Sequence, residues 1–299
     1  MAADAPHPSF EGYAAEAPPS APVGAPGKDG VLELAFRREG DATVLAHDYA
    51  TAPFHVSGTL GHDPHPAAET VCLQSPTGGL AQGDRLDATL DVGADAVAHV
   101  TTQSATKVQS MTHNYAASEA SLAVESGGHL DYVPEPTILH EGARYHQAVS
   151  LDVAAGGSAV VADVAVPGRL ARGERFDFER CVSRVSATGP DGLLFEDATH
   201  LAPEDADPSA PGVLGEFAVY GSLFIVAPAR DAGALSDRLH ECVADGPART
   251  AATALPNGAG VVVRALSDRA DHATEALHAG WTEARETLVG APAPPRRTL

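Results

Sequence analysis

Short alternations of apolar and polar residues, separated by turn residues, follow one another through roughly the first two hundred positions of this chain, with no amphipathic helical period between them. The alternation is read at residues 31–36, 71–73, 86–92, 96–100, 122–124, 130–133, 149–153, 160–166, 176–185 and 193–195, and again at 217–226 and 261–266. Apolar residues at every second position turn one face of an extended strand toward a core. A parallel sheet of the α/β kind needs a crossover helix between successive strands, so the pattern argues against that class. It predicts a mainly β fold, a large coiled or layered, β-helix-like assembly. Gly-containing turns at 91–96, 124–129 and 153–158 each follow an apolar strand end at a spacing of about thirty residues. Each is either the corner of a stacked coil or a tight hairpin turn. Helical period appears twice, both late: Ala234, Leu235, Leu239 and Val243 share one face, as do Ala273, Leu277, Trp281 and Leu288. These two helices are expected to cover the strands.

The balance of 40 acidic against 19 basic residues, a formal net charge of −21, excludes several partners. Nucleic acid and anionic membrane surfaces need a basic patch. No apolar run approaches the length of a membrane span, and MAADAPHPSF lacks the basic start and apolar run of a secretory signal, so a cytoplasmic chain is expected. Scattered carboxylates on a chain of ordinary hydrophobicity suit concentrated salt, where self-repulsion is screened. The other reading of the acidity is a docking face for a basic partner. On the salt reading, the β-sheet circular dichroism should weaken between molar potassium chloride and dilute buffer; an unchanged signal contradicts it. Cys72, Cys181 and Cys242 are far apart, which excludes a disulfide framework and points to reduced, buried thiols.

Three segments invite chemistry. PTGGLAQGD, residues 76–84, has the glycines of a sharp turn or close backbone approach and ends on Asp84, but lacks the Lys and Ser/Thr of a phosphate loop. TTQSATKV, residues 101–108, contains Ser104 and Lys107 at Ser-x-x-Lys spacing, without the other signatures of a Ser-Lys hydrolase. A buried polar turn is the alternative. His62 and His65 lie in GHDPHP, with His55 nearby, and the segment reads either as a transition-ion site or as a solvated loop, with Pro64 and Pro66 favouring the loop.

Taken in order, these segments resemble the UreD family of urease accessory proteins, also called UreH. The family's glycine element stands here as Gly78, Gly79, Gly83 and Asp84, and its Thr-Thr-Gln element as Thr102, Gln103 and Lys107. LDYVPEPTI carries Pro134, and the stretch 163–176 carries Gly168, Arg169, Gly173 and Glu174. LLFED at 193–197, VVVRAL at 261–266 and the pair Trp281 and Arg285 complete the set. Thr77, Gln82 and Asp131 are mild departures, and the acidic stretch 203–211 is an addition. The resemblance covers residues 30–290 as one β-rich domain, leaving 1–29 and 291–299 as loose tails. It implies a non-catalytic scaffold that binds apo-urease with UreF-like and UreG-like (GTPase) proteins, holds no permanent cofactor, and passes Ni2+ through an internal tunnel. On that view Asp84, Asp163 and Glu196 are the tunnel carboxylates, or else buried partners of Lys107, Arg169 or Arg264. The partner surface is expected at Tyr132, Arg144, Tyr145, Arg169, Arg172 and Arg175, unless the arginines of 168–176 only neutralise Asp163, Glu174 and Asp177. Two other classes are kept: a hydrolase using Ser104 and Lys107, and a nickel store built on the His-rich loop.

Overall fold

A computed structural model describes residues 5–17, 27–76 and 78–296. The strands wind as a coil between two sheets. The hairpin β1 (Asp29–Glu39) and β2 (Ala42–Ala50) opens the first sheet, and β3 (His55–Leu60) and β4 (Ala68–Gln74) open the second. β5 (Arg85–Val92) then lies in the first sheet and β6 (Val97–Thr102) in the second, followed by the short β7 (Thr106–Val108). The next turn repeats this with β8 (Ala116–Val124), β9 (His129–Tyr132) and β10 (Thr137–Leu139), and the next with β11 (Arg144–Val153) and β12 (Ser158–Val166). β13 (Arg180–Gly189) and β14 (Gly192–Leu201) close the first sheet, while β15 (Val219–Val226), β16 (Arg249–Ala254) and β17 (Gly260–Ser267) close the second. Neighbours β1, β5, β8, β11 and β13 are parallel, as are β4, β6, β9 and β12. Parallel pairing needs no helix here, because each strand returns through the opposite sheet.

The three glycine turns are the corners of that coil, which decides between the two readings of the repeat. Val92 pairs with Val124 and Val124 with Val153, so the corners stack. Glu125 N donates to Val92 O, and Ala154 N to Val124 O, each at 2.9 Å. A Cβ on Gly128 would sit 2.9 Å from Gly93 O, and one on Gly157 would sit 2.9 Å from Glu125 O. On the other side of the coil, Leu80, β7, β10 and the end of β12 stack in parallel as a narrow third face. Gly79 sits there at φ +126°, and a Cβ would lie 2.2 Å from Lys107 O. Gly79→Ala is therefore expected to destabilise by about 1–3 kcal/mol, read as a lower melting temperature; an unchanged melt would contradict the close approach.

Between the sheets lie Leu32, Phe36, Leu90, Leu130 and Val161, all fully buried. Each such side chain contributes about 1.5–3 kcal/mol of burial. Two long helices cover the outer face of the second sheet, whereas the short α1 (Glu11–Ala14) packs on the first. α2 (Ala232–Val243) buries Leu235, Leu239 and Val243, leaving Ala234 exposed, and α3 (Ala270–Leu288) buries Ala273, Leu277 and Trp281. A charged network also ties α3 to that sheet. Arg285 is fully buried and donates through Nη1 to Asp131 Oδ2 and Asp63 Oδ2 at 2.9 Å, and through Nη2 to Asp63 Oδ1 at 2.6 Å. Trp281 Nε1 donates to Asp131 Oδ1 at 2.7 Å, and the His129 ring lies 3.2 Å from the same oxygen. Asp63 thus anchors the His-rich loop that was expected to be solvated.

Several expectations need correction. Residues 5–16 are not loose: Phe10 is fully buried. At the other end Ala291 and Ala293 are buried, and the His278 ring bonds Pro294 O at 2.9 Å; residues 297–299 lie outside the described residues. Cys72 and Cys181 are buried as expected, but Cys242 is exposed on α2. No helix among the described residues is long and apolar enough to cross a membrane.

Candidate functional site

The coil places one polar side chain at the same level of seven strands, all facing the space between the sheets. In the first sheet these are Ser118, Gln147, Ser183 and Thr199, paired in register across β8, β11, β13 and β14. In the second they are Asp163, Ser222 and Arg264, paired across β12, β15 and β17. Two residues along these strands the core is apolar again, except on β14, where Asp197 lies beside Thr199. One cluster holds Val149, Val161, Val185 and Phe224, and the other holds Tyr145, Ala165, Cys181 and Tyr220. A polar layer between two apolar ones must satisfy its own hydrogen bonds or contain water, because an unpaired buried group costs about 1–3 kcal/mol.

Asp163 is the centre of the layer. It is 9% exposed, accepts from Ser183 Oγ at 2.7 Å and from Gln147 Nε2 at 3.2 Å, and Gln147 in turn accepts from Tyr145 Oη at 3.1 Å. Burial pushes the Asp163 carboxyl above its ordinary range, against the hydrogen bonds from Ser183 and Gln147 and the nearby Arg264 charge. Beyond Asp163, Arg264 donates to Ser222 Oγ at 2.6 Å and to Asp197, where the layer reaches the half-exposed surface. At the opposite end is a cavity of about 160 Å³ lined by Ser118, Gln147, Tyr132, Tyr145, Gly79 and Lys107. The layer thus runs from this pocket, whose lining residues Gly78, Gln103 and Lys107 are exposed, to the surface at Asp197. A larger cavity of about 620 Å³ lies between the second sheet and α3, and Thr102, Pro134 and Glu135 line both.

The expected site residues separate on this frame. Gly78, Gly79, Thr102, Gln103, Lys107 and Pro134 all line the smaller pocket, with Gly78, Gln103 and Lys107 exposed at it, so the motifs converge there. Gly83 and Asp84 do not line it. Asp84 is buried, but its oxygens accept from Gly27 N, Lys28 N and Ala81 N at 2.9 Å each, tying the start of β1 to the glycine turn. Glu196 faces solvent and pairs with Arg184, so Asp84, Asp163 and Glu196 are not brought together. Tyr132 and Tyr145 face inward, and burial raises the Tyr132 hydroxyl to about 12. They are removed from the partner surface. Arg144 is covered by Tyr13 and Glu16, which leaves Arg169, Arg172 and Arg175 exposed on the loop with Gly168, Gly173 and Glu174. There Arg169 pairs with Glu174 at 2.5 Å, and Arg175 Nη2 donates to Glu216 O at 2.7 Å.

The layer residues missed from the sequence include Gln147, Ser183 and Ser222, each of which interrupts an inward apolar alternation once, whereas Arg264 was named there as a possible partner of the carboxylates. That interruption was the available signal. Among the described residues Ser104 and Lys107 share no hydrogen bond, and no group of three or more His, Cys, Asp or Glu is placed to hold a metal ion. A nucleophile without a base and a store without a ligand set give the two other classes no support.

Fold and site together define a coiled β protein with a polar layer through its core and two helices closed over one sheet. The model of the family described as UreD urease accessory protein matches residues 28–298, and the chain belongs to that family. The chain is 68% identical to the urease accessory protein UreD of Haloarcula marismortui over 99% of both chains. It is 44% identical to that of Natronomonas pharaonis over 97% of both. It is 34% identical to urease accessory protein UreD 2 of Streptomyces griseus, over 95% of this chain and 98% of that one.

Proposed function

We propose that this protein serves urease maturation as a non-catalytic cytoplasmic scaffold, seating UreF-like and UreG-like proteins on apo-urease and passing Ni2+ along its interior polar layer. The relatives, urease accessory proteins of haloarchaea and Streptomyces, support the urease role. The observation that carries the nickel reading is the line of oxygen and nitrogen groups from the pocket beside Lys107 through Gln147, Asp163 and Ser183 toward Arg264 and Asp197. A divalent ion in transit needs such groups, few enough at each point to release it. Asp163 supplies the carboxylate within the layer, and burial raises its affinity for a proton. Nickel is cargo on this reading, with no resident cofactor.

The exposed 168–176 loop, with three arginines on an acidic chain, is the proposed partner contact. Arg172→Ala is expected to weaken pull-down of the UreF-like protein in molar potassium chloride while leaving the melt within about 1 °C, as for a surface change. Arg169→Ala and Arg175→Ala should also weaken it. Retained pull-down with all three replaced would remove this loop from the interface.

A further inference from the structure

The level of the core next to the polar layer holds a thiol that the nickel route does not use. Cys181 stands two residues before Ser183 on β13 and is 5% exposed. It is paired in register with Tyr145 of β11, and it belongs to one packed cluster with Tyr145, Ala165 and Tyr220. Tyr220 enters that level from the second sheet, where β15 carries it opposite Ala165 of β12. The two phenols differ in one respect. Tyr145 Oη donates to Gln147 at 3.1 Å, whereas Tyr220, 6% exposed, has a buried hydroxyl that no protein atom hydrogen-bonds. A buried hydroxyl in that state is costly, and it points to a bound species that the protein itself does not supply. Burial raises the Tyr220 hydroxyl well above its ordinary value, and the charges of Asp163 and Cys181 act on it in the same direction. Burial and the Asp163 charge likewise push the Cys181 thiol up. Carboxylate, thiol and phenol therefore face one space. Gln147, which lines the pocket beside Lys107 and donates to Asp163, connects that space to the pocket.

We propose that Asp163, Cys181 and Tyr220 form a binding site for one thiophilic cation, such as Cd2+, Zn2+ or Cu+. The carboxylate and the thiolate are its charged ligands, and the phenol oxygen is a neutral third donor. On binding, the S–H bond of Cys181 breaks, its electron pair forms the sulfur–metal bond, and the proton leaves to solvent. Soft sulfur ligands select such ions, whereas the rest of the layer offers only oxygen and nitrogen. An ion held by sulfur stays where a more weakly held one moves on, so a thiophilic ion seated beside Asp163 closes the nickel route. That consequence rests on the maturation reading above; the site itself does not.

The test is a titration of the full chain with Cd2+ alone in molar potassium nitrate, since chloride itself complexes cadmium. Cys242 is exposed and is replaced by Ser throughout. The Cys242→Ser chain is expected to bind one Cd2+ with an ultraviolet sulfur-to-metal charge-transfer band. Adding Cys181→Ser, its fold confirmed by its melt, should abolish the band; Cys181→Ala takes its place where the serine variant does not fold. Asp163→Asn and Tyr220→Phe should each weaken cadmium binding by about tenfold or more. No band in the Cys242→Ser chain, a band that survives the loss of Cys181, or unchanged affinity in Asp163→Asn or Tyr220→Phe overturns the proposal. A chain loaded with one Cd2+ should further fail to load urease with nickel. Full nickel loading by a chain with cadmium bound at Cys181 leaves the site standing and counts against the route.

Discussion

Arg285→Met is expected to destabilise the protein by about 3–5 kcal/mol, the cost of breaking a buried ion pair by removing one partner. Met fills much of the same space, so the loss is electrostatic. Asp63 and Asp131 remain, 2% and 0% exposed at the side chain, without the guanidinium that holds both. For a domain of this size that is a fall of roughly 10 °C in melting temperature, followed through the fluorescence of Trp281. Trp281 is the one Trp of the chain, and its ring nitrogen binds the same Asp131. A melt within a degree or two of wild type would mean that the network is replaceable by packing.

The same network sets an acid limit. Burial alone pushes the Asp131 carboxyl up, but the charge and hydrogen bond of His129, with the charges of Arg285 and His99, bring it down from 3.8 to about 2. A depressed carboxyl contributes stability that is fully present above its unfolded value and is lost as pH falls through the folded one. Wild-type stability should therefore drop between about pH 4 and pH 2 in part through Asp131. Asp131→Asn should already lack that contribution at neutral pH and show a shallower acid limb.

Much of the coil was legible because its inward positions are apolar at every second residue and its corners need glycine. What escaped had local causes. β2, β3 and β16 lie at sheet edges, and β7 and β10 have three residues each, too few for a period. The burial of Phe10 depends on a pocket built from β8, β11 and β13, far along the chain, while the residues around it are the Ala and Pro of a tail. The Arg285 network joins positions 63, 131 and 285, which no local pattern connects. Other errors were avoidable. Phe195 faces the core, so the neighbouring Glu196 had to face out, and the same alternation through Val149 turns Tyr145 inward. Asp163 was reached through the family resemblance, whereas its neighbours in the layer come from other turns of the coil.

Asp163→Asn separates transport from folding. An acid whose carboxyl is raised on folding binds its proton more tightly in the folded state, so ionisation lowers stability as pH rises. Replacing the carboxyl with an amide that still accepts from Ser183 is therefore expected to leave the melt at pH 7 at or above that of wild type. Passage of a divalent ion, in contrast, loses the carboxylate at the centre of the layer, and nickel loading should fall on the order of tenfold, as for loss of a metal-supporting group. Glu196→Gln, exposed and paired with Arg184, should change neither.

The decisive measurement is the nickel content of urease matured in molar salt with the UreF-like and UreG-like proteins and wild-type, Asp163→Asn or Glu196→Gln chain, each complex first shown to assemble. Nickel in urease near wild type with Glu196→Gln and strongly reduced with Asp163→Asn is the predicted result. Full nickel loading with Asp163→Asn in an intact complex would contradict the polar layer as the route.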